Sequence, residues 1–153
     1  MEIRKFRRED FNIIRDLHEK TVRYVNSIDY TKEQIETWPG ISDNYSSLLK
    51  SLEKSISYVA LINNKIVGFG DINNLGYISR LYTDKDFQGK GIGSALLKKL
   101  EEEAMNLGLK EIKLESTTSA KPFYESKGYE VIEKILSNIQ GVQHEDWAMV
   151  KKL

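Results

Sequence analysis

The segment Gln88–Ser94 (QGKGIGS) contains three alternating glycines, between a β-branched, aromatic stretch and an amphipathic one. Glycine lacks Cβ and adopts backbone angles that other residues avoid, so such a loop can bring backbone N–H groups close to a ligand. A helix that begins directly after the loop adds free N–H groups and a partial positive charge, which favour phosphate. The spacing therefore predicts a pyrophosphate cradle between a strand and a helix.

Two better-known phosphate-binding patterns do not fit this loop. A dinucleotide fingerprint requires glycine or alanine at its third position, which is Ser94 counted from Gly89 and Leu96 counted from Gly91. A Walker loop requires Gly-Lys-Ser/Thr, a tripeptide that does not occur in the chain. For the loop taken alone, a glycine-rich turn that only caps a helix remains the alternative.

A second segment with chemical potential is Thr117–Tyr129, which contains the pair Phe123-Tyr124. A phenol has a reference pKa of about 10, so it keeps its proton at neutral pH. It can therefore donate that proton to a leaving group. A buried tyrosine that merely packs a short helix is the alternative interpretation.

Taken together, the two segments resemble the GNAT superfamily of N-acetyltransferases. Gln88-x-x-Gly91-x-Gly93 after a strand is similar to its acetyl-CoA loop. Ala120, Phe123, Tyr124, Gly128 and Tyr129 match the family segment A-x-x-F-Y-x-x-x-G-F/Y. The resemblance covers nearly the whole chain, although its specific motifs lie between Tyr77 and Tyr129.

The resemblance implies a role for each matching position. The strand before the loop would carry a bulge and contact acetyl-CoA through the backbone of Leu81, Tyr82 and Thr83. The CoA pyrophosphate would be surrounded by the N–H groups of Gln88, Gly89, Lys90, Gly91, Ile92, Gly93 and Ser94. Tyr124 would protonate the departing thiolate. Many relatives place an asparagine that contacts the CoA arm where this chain has Thr117.

No catalytic base is evident. Many GNAT enzymes use a glutamate on the bulged strand, but here Tyr77, Ser79 and Arg80 offer no carboxylate. Candidates elsewhere, each expected to be a surface group or a cap, are Asp29, Glu36, Asp71, Glu115 and His18.

The acceptor side is expected near Tyr24–Pro39, where aromatic and acidic side chains can receive a cationic amine or simply pack on the sheet. The side chains concerned are Tyr24, Asp29, Tyr30 and Trp38.

Composition excludes several functional classes. Lys+Arg and Asp+Glu are both 23, so no basic surplus points to nucleic acid. There is no cysteine for a disulfide, a thiolate metal site or a covalent acyl intermediate, and the two histidines are far apart, so no metal is expected. The short apolar runs and the polar start of the chain predict a soluble cytoplasmic protein without a membrane span.

The elements that must position these residues follow from periodicity and turn residues. Strands are predicted at 2–6, 57–62, 65–72, 77–83, 111–115, 129–136 and 146–152, with a hairpin turn at Asn63-Asn64. Helices are predicted from about Glu9, after Thr31, and at 45–54, 91–107 and 120–127. The expected fold is α/β (α+β), one GNAT domain over 1–153. Its mixed sheet has six to seven strands, a V-shaped splay between the fourth and fifth, and four to five flanking helices.

The predicted function is transfer of an acetyl group from acetyl-CoA to a primary amine of a small molecule. Direct attack in a ternary complex is expected because no cysteine can carry the acyl group. A protein or peptide N-acetyltransferase and a non-catalytic acyl-CoA-binding sensor are the alternatives. Near the end of the chain, His144 is expected in a surface loop, and Trp147 and Met149 in the core or in a homodimer contact.

Overall fold

The computed structural model describes residues 1–153, and one seven-stranded sheet runs through it in the order β1-β2-β3-β4-β5-β7-β6. Every neighbouring pair is antiparallel except β4 and β5, which are parallel. The strands are β1 (Glu2–Lys5), β2 (Ile56–Ile62), β3 (Lys65–Ile72), β4 (Tyr77–Thr83), β5 (Glu111–Thr117), β6 (Glu130–Ile139) and β7 (Val142–Lys152). The predicted mixed sheet and its strand number are confirmed.

Five α-helices cover the two faces of the sheet. They are α1 (Phe11–Tyr24), α2 (Lys32–Glu36), α3 (Leu48–Lys54), α4 (Ile92–Asn106) and α5 (Lys121–Ser126). Helices α1 and α3 pack on one hydrophobic core, and helices α4 and α5 pack on a separate, larger one. These two pairs of helices therefore lie on opposite faces of the sheet. None of the helices combines the length and the apolar character that crossing a lipid bilayer requires.

Local sequence signals account for most element boundaries. Asn63 and Asn64 have φ of 50° and 65°, the left-handed pair that a two-residue hairpin turn requires. Thr31 Oγ1 accepts from the Gln34 amide at 3.1 Å, and Gln34 Oε1 accepts from the Thr31 amide at 2.9 Å. This capping box begins α2, as the sequence predicts.

The one parallel pair of strands is short. β4 and β5 pair only at Tyr77–Lys113 and Ile78–Leu114, and beyond these residues the strands part. On its other edge β4 carries a bulge at Ser79, because Ile78 lies opposite Ile72 while Arg80 lies opposite Asp71. A bulge bends a strand and increases its twist, which turns β4 away from β5. The predicted V-shaped splay is therefore present.

The last hairpin is longer than predicted. β6 extends to Ile139 and β7 begins at Val142, with Gln140 (φ 51°) and Gly141 (φ 82°) forming a two-residue turn. β6 is an edge strand with nearly every side chain exposed, so the alternation that marks a half-buried strand is missing from its sequence. As a result, His144 lies within β7 and is buried, and its predicted place in a surface loop is wrong.

Candidate active site

A cavity of about 430 Å³ lies where β4 and β5 separate. Its walls come from the end of α1, the diverging strands, the glycine loop, the first turn of α4, and α5. The lining includes the predicted positions Leu81, Tyr82, Thr83, Gln88, Gly89, Gly91, Ile92, Gly93, Ser94, Thr117 and Tyr124. The structure therefore brings together, around one space, residues that lie far apart in the chain.

Lys90 is the one predicted position that does not line this cavity. Its Nζ lies 5.2 Å from the centre of the Phe87 ring. A cation placed over an aromatic face is attracted to it, so the side chain is held beside the loop. The backbone of Lys90 is part of the glycine loop, whereas its side chain lies over Phe87.

The edge of β4 that faces the cavity has no strand partner beyond Ile78. In a strand paired on one side, N–H groups alternate between the two edges, so those that point towards β5 are free of the ladder. The far end of the strand is fixed, because the Thr83 carbonyl accepts from Thr21 Oγ1 at 2.9 Å and from Gln88 Nε2 at 2.7 Å. The Gln88 side chain thereby holds the turn from the strand into the glycine loop.

The first turn of α4 presents free N–H groups. Gly91 is the N-cap in a left-handed conformation (φ 80°) and has no side chain to cap the helix. The first bond of the helix is from the Ala95 amide to the Gly91 carbonyl at 3.0 Å, so the preceding amides have no partner within the helix. A Cβ built at Gly91 would meet nothing within 4 Å, so there is room for a side chain. It is the left-handed backbone angle at this position that favours glycine. The turn can bind an anion.

Tyr124 lies on α5 and is 6 % exposed. Its ring packs edge-on against Phe123 at 5.2 Å and Tyr129 at 5.6 Å. Burial raises the pKa of the Tyr124 hydroxyl, which therefore stays protonated, and no protein group hydrogen-bonds to it. A protonated hydroxyl without a partner in the cavity wall is available to donate to a bound molecule.

Thr117 stands at the end of β5, where it lines the cavity. Its Oγ1 accepts from the Ala120 amide at 3.1 Å. The side chain thus fixes the approach to α5, and with it the position of Tyr124.

The segment 26–40, called the covering segment below, packs beside the cavity and lines it through Asn26. Tyr30 packs edge-on against the buried Trp38 with ring centres 4.8 Å apart, and its Oη accepts from the Thr118 amide at 2.7 Å. Asp29 Oδ2 accepts from Ser119 Oγ at 2.8 Å. These bonds tie the covering segment to the β5–α5 connection. Tyr24, in contrast, is 64 % exposed and does not join this group.

The same segment also contacts β7. Thr37 Oγ1 and His144 Nε2 lie 2.7 Å apart, at hydrogen-bond distance, although 107 positions separate the residues in the chain. Burial lowers the pKa of His144. The contact holds α2 against the strand next to β5.

Two base candidates expected at the surface are buried, so that expectation is wrong for them. His18 lies with Nδ1 at 2.8 Å from Tyr45 Oη, and its burial, with the nearby Arg80 charge, lowers its pKa to about 4. Asp71 Oδ2 accepts from Arg80 Nη1 at 2.7 Å, while burial raises the Asp71 pKa. Both side chains lie between the sheet and the helices α1 and α3, where these hydrogen bonds hold them.

The remaining candidates differ in their relation to the cavity. Glu36 is exposed and accepts from Arg23 Nη1 at 2.7 Å, as expected of a surface group, and Asp29 is also exposed. Glu115 lines the cavity.

Sequence reasoning missed Asp146. This half-buried residue lies on β7 opposite Thr117, and burial together with Glu115 raises its pKa to about 6. The available signal was its alternation with Trp147 and Met149, which pack on the α4–α5 side of the sheet. That alternation directs Asp146 to the other face.

Comparisons with known proteins agree with this architecture. The family model described as "Acetyltransferase (GNAT) domain" matches residues 26–150. A curated relative, "Uncharacterized N-acetyltransferase YafP" of Escherichia coli K12, is 30% identical over 135 residues, covering 88% of this chain and 84% of the relative.

Two solved structures extend the comparison. A GCN5-related N-acetyltransferase from Rhodopseudomonas palustris superposes with a TM-score of 0.94 at 23% identity, covering 99% of this chain and 95% of that one. The PaiA N-acetyltransferase of Thermoplasma acidophilum, solved in complex with coenzyme A, has a TM-score of 0.80 at 25% identity, covering 99% and 98%. The chain described above therefore belongs to the GNAT acetyltransferase family.

Proposed function

We propose that the chain transfers an acetyl group from acetyl-CoA to the primary amine of a small molecule, by direct attack in a ternary complex. The observation that carries the proposal is the continuity of one cavity, from the free amides of α4, along the unpaired edge of β4, to the Tyr124 hydroxyl. An anion site, an extended hydrogen-bonding edge and a proton donor thus follow one another in space.

The residues present fit acetyl-CoA. The amides of Gln88–Ser94 suit the pyrophosphate, because a helix N-terminus with free N–H groups favours negative charge. The exposed edge at Leu81–Thr83 suits an extended arm that carries amide groups, as when a peptide adds to a sheet edge. Thr117 lines the facing wall. When bound, acetyl-CoA supplies the thioester that an amine can attack.

Two groups of the chain then act on the reaction. A free N–H at Leu81–Thr83 stabilises the negative charge that develops on the thioester oxygen, as fixed backbone donors do in oxyanion holes. Tyr124 donates its proton to the sulfur as the C–S bond breaks. The raised pKa of Tyr124 keeps it in the donor form at neutral pH.

The covering segment supports a small acceptor. Residues 26–40 are hydrogen-bonded to Thr118, Ser119 and β7, so this side of the cleft is fixed in place, which favours a small acceptor. Glu115 and Asp146 add negative charge on that side of the sheet, which favours a cationic amine.

The proposal is tested by measuring thiol release from acetyl-CoA over polyamines, amino sugars, amino acids and short peptides. We expect at least one class of small amine to accelerate release well above hydrolysis, with mass spectrometry detecting the acetylated amine. Turnover of peptides alone would replace the proposal with protein acetylation. Tight acetyl-CoA binding with no accelerated release would replace it with the sensor function.

A further inference from the structure

We propose that Asp146 and Glu115 form the subsite for the acceptor's ammonium group, and that Asp146 takes the proton which this group must lose before attack. The inference rests on the proposed acetyl transfer. It assigns a base to a strand that the sequence motifs do not mark.

The strand register places the two carboxylates together. Asp146 of β7 lies opposite Thr117, and Glu115 of β5 lies opposite Ala148, two residues along the same ladder. Glu115 and Asp146 are therefore diagonal neighbours on one face of the sheet, a spacing of about 7–8 Å that long side chains can bridge. Glu115 and Thr117 line the cavity, and Asp146, which does not line it, lies beside Thr117 on the face where Thr37 contacts His144.

Neither carboxylate has a cationic partner in the protein. The other acidic side chains of these strands do: Glu111 pairs with Lys113 at 3.7 Å, and Glu145 pairs with Lys134 at 3.2 Å. Arg80, the nearby cation on β4, is held by Asp71 at 2.7 Å. A half-buried Asp146 beside an exposed Glu115, neither with a counter-charge, is suited to a positively charged ligand.

The nearest titratable groups on the face of Asp146 are Glu115 of β5, Glu133 of β6 opposite Ala148, and His144 two residues earlier on β7. The Asp146 charge also raises the pKa of three nearby tyrosines, which are Tyr30, Tyr77 and Tyr82. Aromatic rings attract ammonium groups, so these tyrosines favour a cation here. The surroundings of Asp146 also matter for proton transfer, because burial and Glu115 raise the pKa of Asp146 to about 6. A base whose pKa lies near the working pH is the most effective kind.

The proton steps balance. The ammonium R–NH₃⁺ gives one proton to the Asp146 carboxylate, which later releases it to water. The nitrogen lone pair of R–NH₂ then forms the C–N bond to the acetyl carbon, and the C–S bond breaks. Tyr124 protonates the sulfur, and the second nitrogen proton, lost as the amide forms, returns to the Tyr124 oxygen.

The test compares Asp146→Asn, Glu115→Gln and the control Glu145→Gln, using the amine that the wild type acetylates fastest. Glu145 is the matched control because it is the neighbouring carboxylate on β7 and pairs with Lys134. We expect Asp146→Asn to lower kcat/KM about 10²–10⁴-fold at pH 7, the usual contribution of a general base. The loss should shrink near pH 10, where more of the amine is already neutral. Glu115→Gln should shift the acidic limb of the pH profile to lower pH, because the Glu115 charge raises the pKa of Asp146. Glu145→Gln should leave the profile unchanged.

Binding and stability supply independent readouts. Acetyl-CoA affinity, measured by calorimetry, should be the same in all four proteins. The folded-state pKa of Asp146 lies above its unfolded value of about 3.9, so the ionised group opposes folding fully above about pH 6. Asp146→Asn should therefore raise Tm at pH 7.5, and the gain should disappear near pH 4. A lower Tm at pH 7.5 would contradict the placement of Asp146.

The outcomes separate the two proposals. Wild-type turnover that Asp146→Asn retains at pH 7 overturns the assignment of the base and leaves acetyl transfer intact. A loss in Asp146→Asn that is equally large at pH 7 and pH 10 also overturns it. If the wild type acetylates none of the amines, the proposed function fails and the base assignment fails with it.

Discussion

Replacing Tyr124 with phenylalanine removes one oxygen atom from the wall of the cavity and leaves the ring in place. The ring contacts with Phe123 and Tyr129 are retained, and no hydrogen bond to the protein is lost. The usual causes of a large loss of stability, which are a new cavity in the core and an unpaired buried polar group, are both missing from this substitution. We therefore expect Tyr124→Phe to unfold at nearly the wild-type temperature.

Its effect on catalysis should be large. A positioned general acid contributes about 10²–10⁴-fold to the rate. At about 1.36 kcal/mol per factor of ten, the barrier rises by about 2.7–5.4 kcal/mol. Because the donated proton matters only as the C–S bond breaks, kcat should fall while the Kd of acetyl-CoA changes by less than about two-fold. Thiol release gives kcat, and calorimetry gives Kd.

Tyr129→Phe is the matched control. Tyr129 belongs to the same ring cluster, but its Oη donates to Glu101 Oε2 at 3.0 Å and it does not line the cavity. Loss of that bond should lower the free energy of unfolding by about 1 kcal/mol, with kcat retained. Unchanged kcat in Tyr124→Phe would refute the acid role. An equal loss of kcat in both variants would show that ring packing, and not the proton, is responsible.

Two further predictions concern the glycine loop and a buried histidine. Gly91→Ala should lower the free energy of unfolding by about 1–2 kcal/mol because Gly91 has φ of 80°. Gly93→Ala should raise the free energy of unfolding by up to about 1 kcal/mol, because Gly93 is helical and an added Cβ would meet Phe123 at an ordinary contact distance of 3.6 Å. Urea denaturation of both variants measures the two changes. Equal changes in Gly91→Ala and Gly93→Ala would contradict this reasoning. Burial lowers the pKa of His18 to about 4, so the unfolded chain binds a proton between about pH 6.5 and 4 that the folded chain does not. The Tm of the wild type should therefore fall as the pH is lowered from about 6.5 to 4, and His18→Gln should show a smaller fall. An identical slope of Tm against pH in the two proteins would exclude His18 as the cause of the fall.

The features that the sequence predicts correctly are those fixed by neighbouring residues. Asn63 and Asn64 adopt the left-handed turn because few other residue types tolerate it. Ile92, Leu96 and Leu100 are buried because helical spacing aligns them on one face. The glycine loop and the Phe123-Tyr124 pair are local motifs, and the structure places them around one cavity.

The features that the sequence does not predict depend on contacts between distant segments. His144 is buried because α2 packs on β7 through Thr37. Asp146 is half-buried two residues further along the same face of β7, and the path of residues 26–40 across the sheet is not encoded near either residue. The edge strand β6 lacks alternation because both of its faces are exposed, so its true length is invisible to periodicity. Such burial is a property of the assembled chain.

The short pairing of β4 with β5 makes the sheet two hydrogen-bonded plates joined at a narrow hinge. One plate is β1–β4 and the other is β5–β7, and only two residue pairs connect their backbones. A ligand bound between β4 and β5 contacts both halves of the sheet, and at a concentration of 100 Kd it raises the free energy of unfolding by about 2.7 kcal/mol. With the ligand bound, neither half can open locally without losing these contacts. Amide exchange along β4 and β5 should therefore slow when the cleft is occupied.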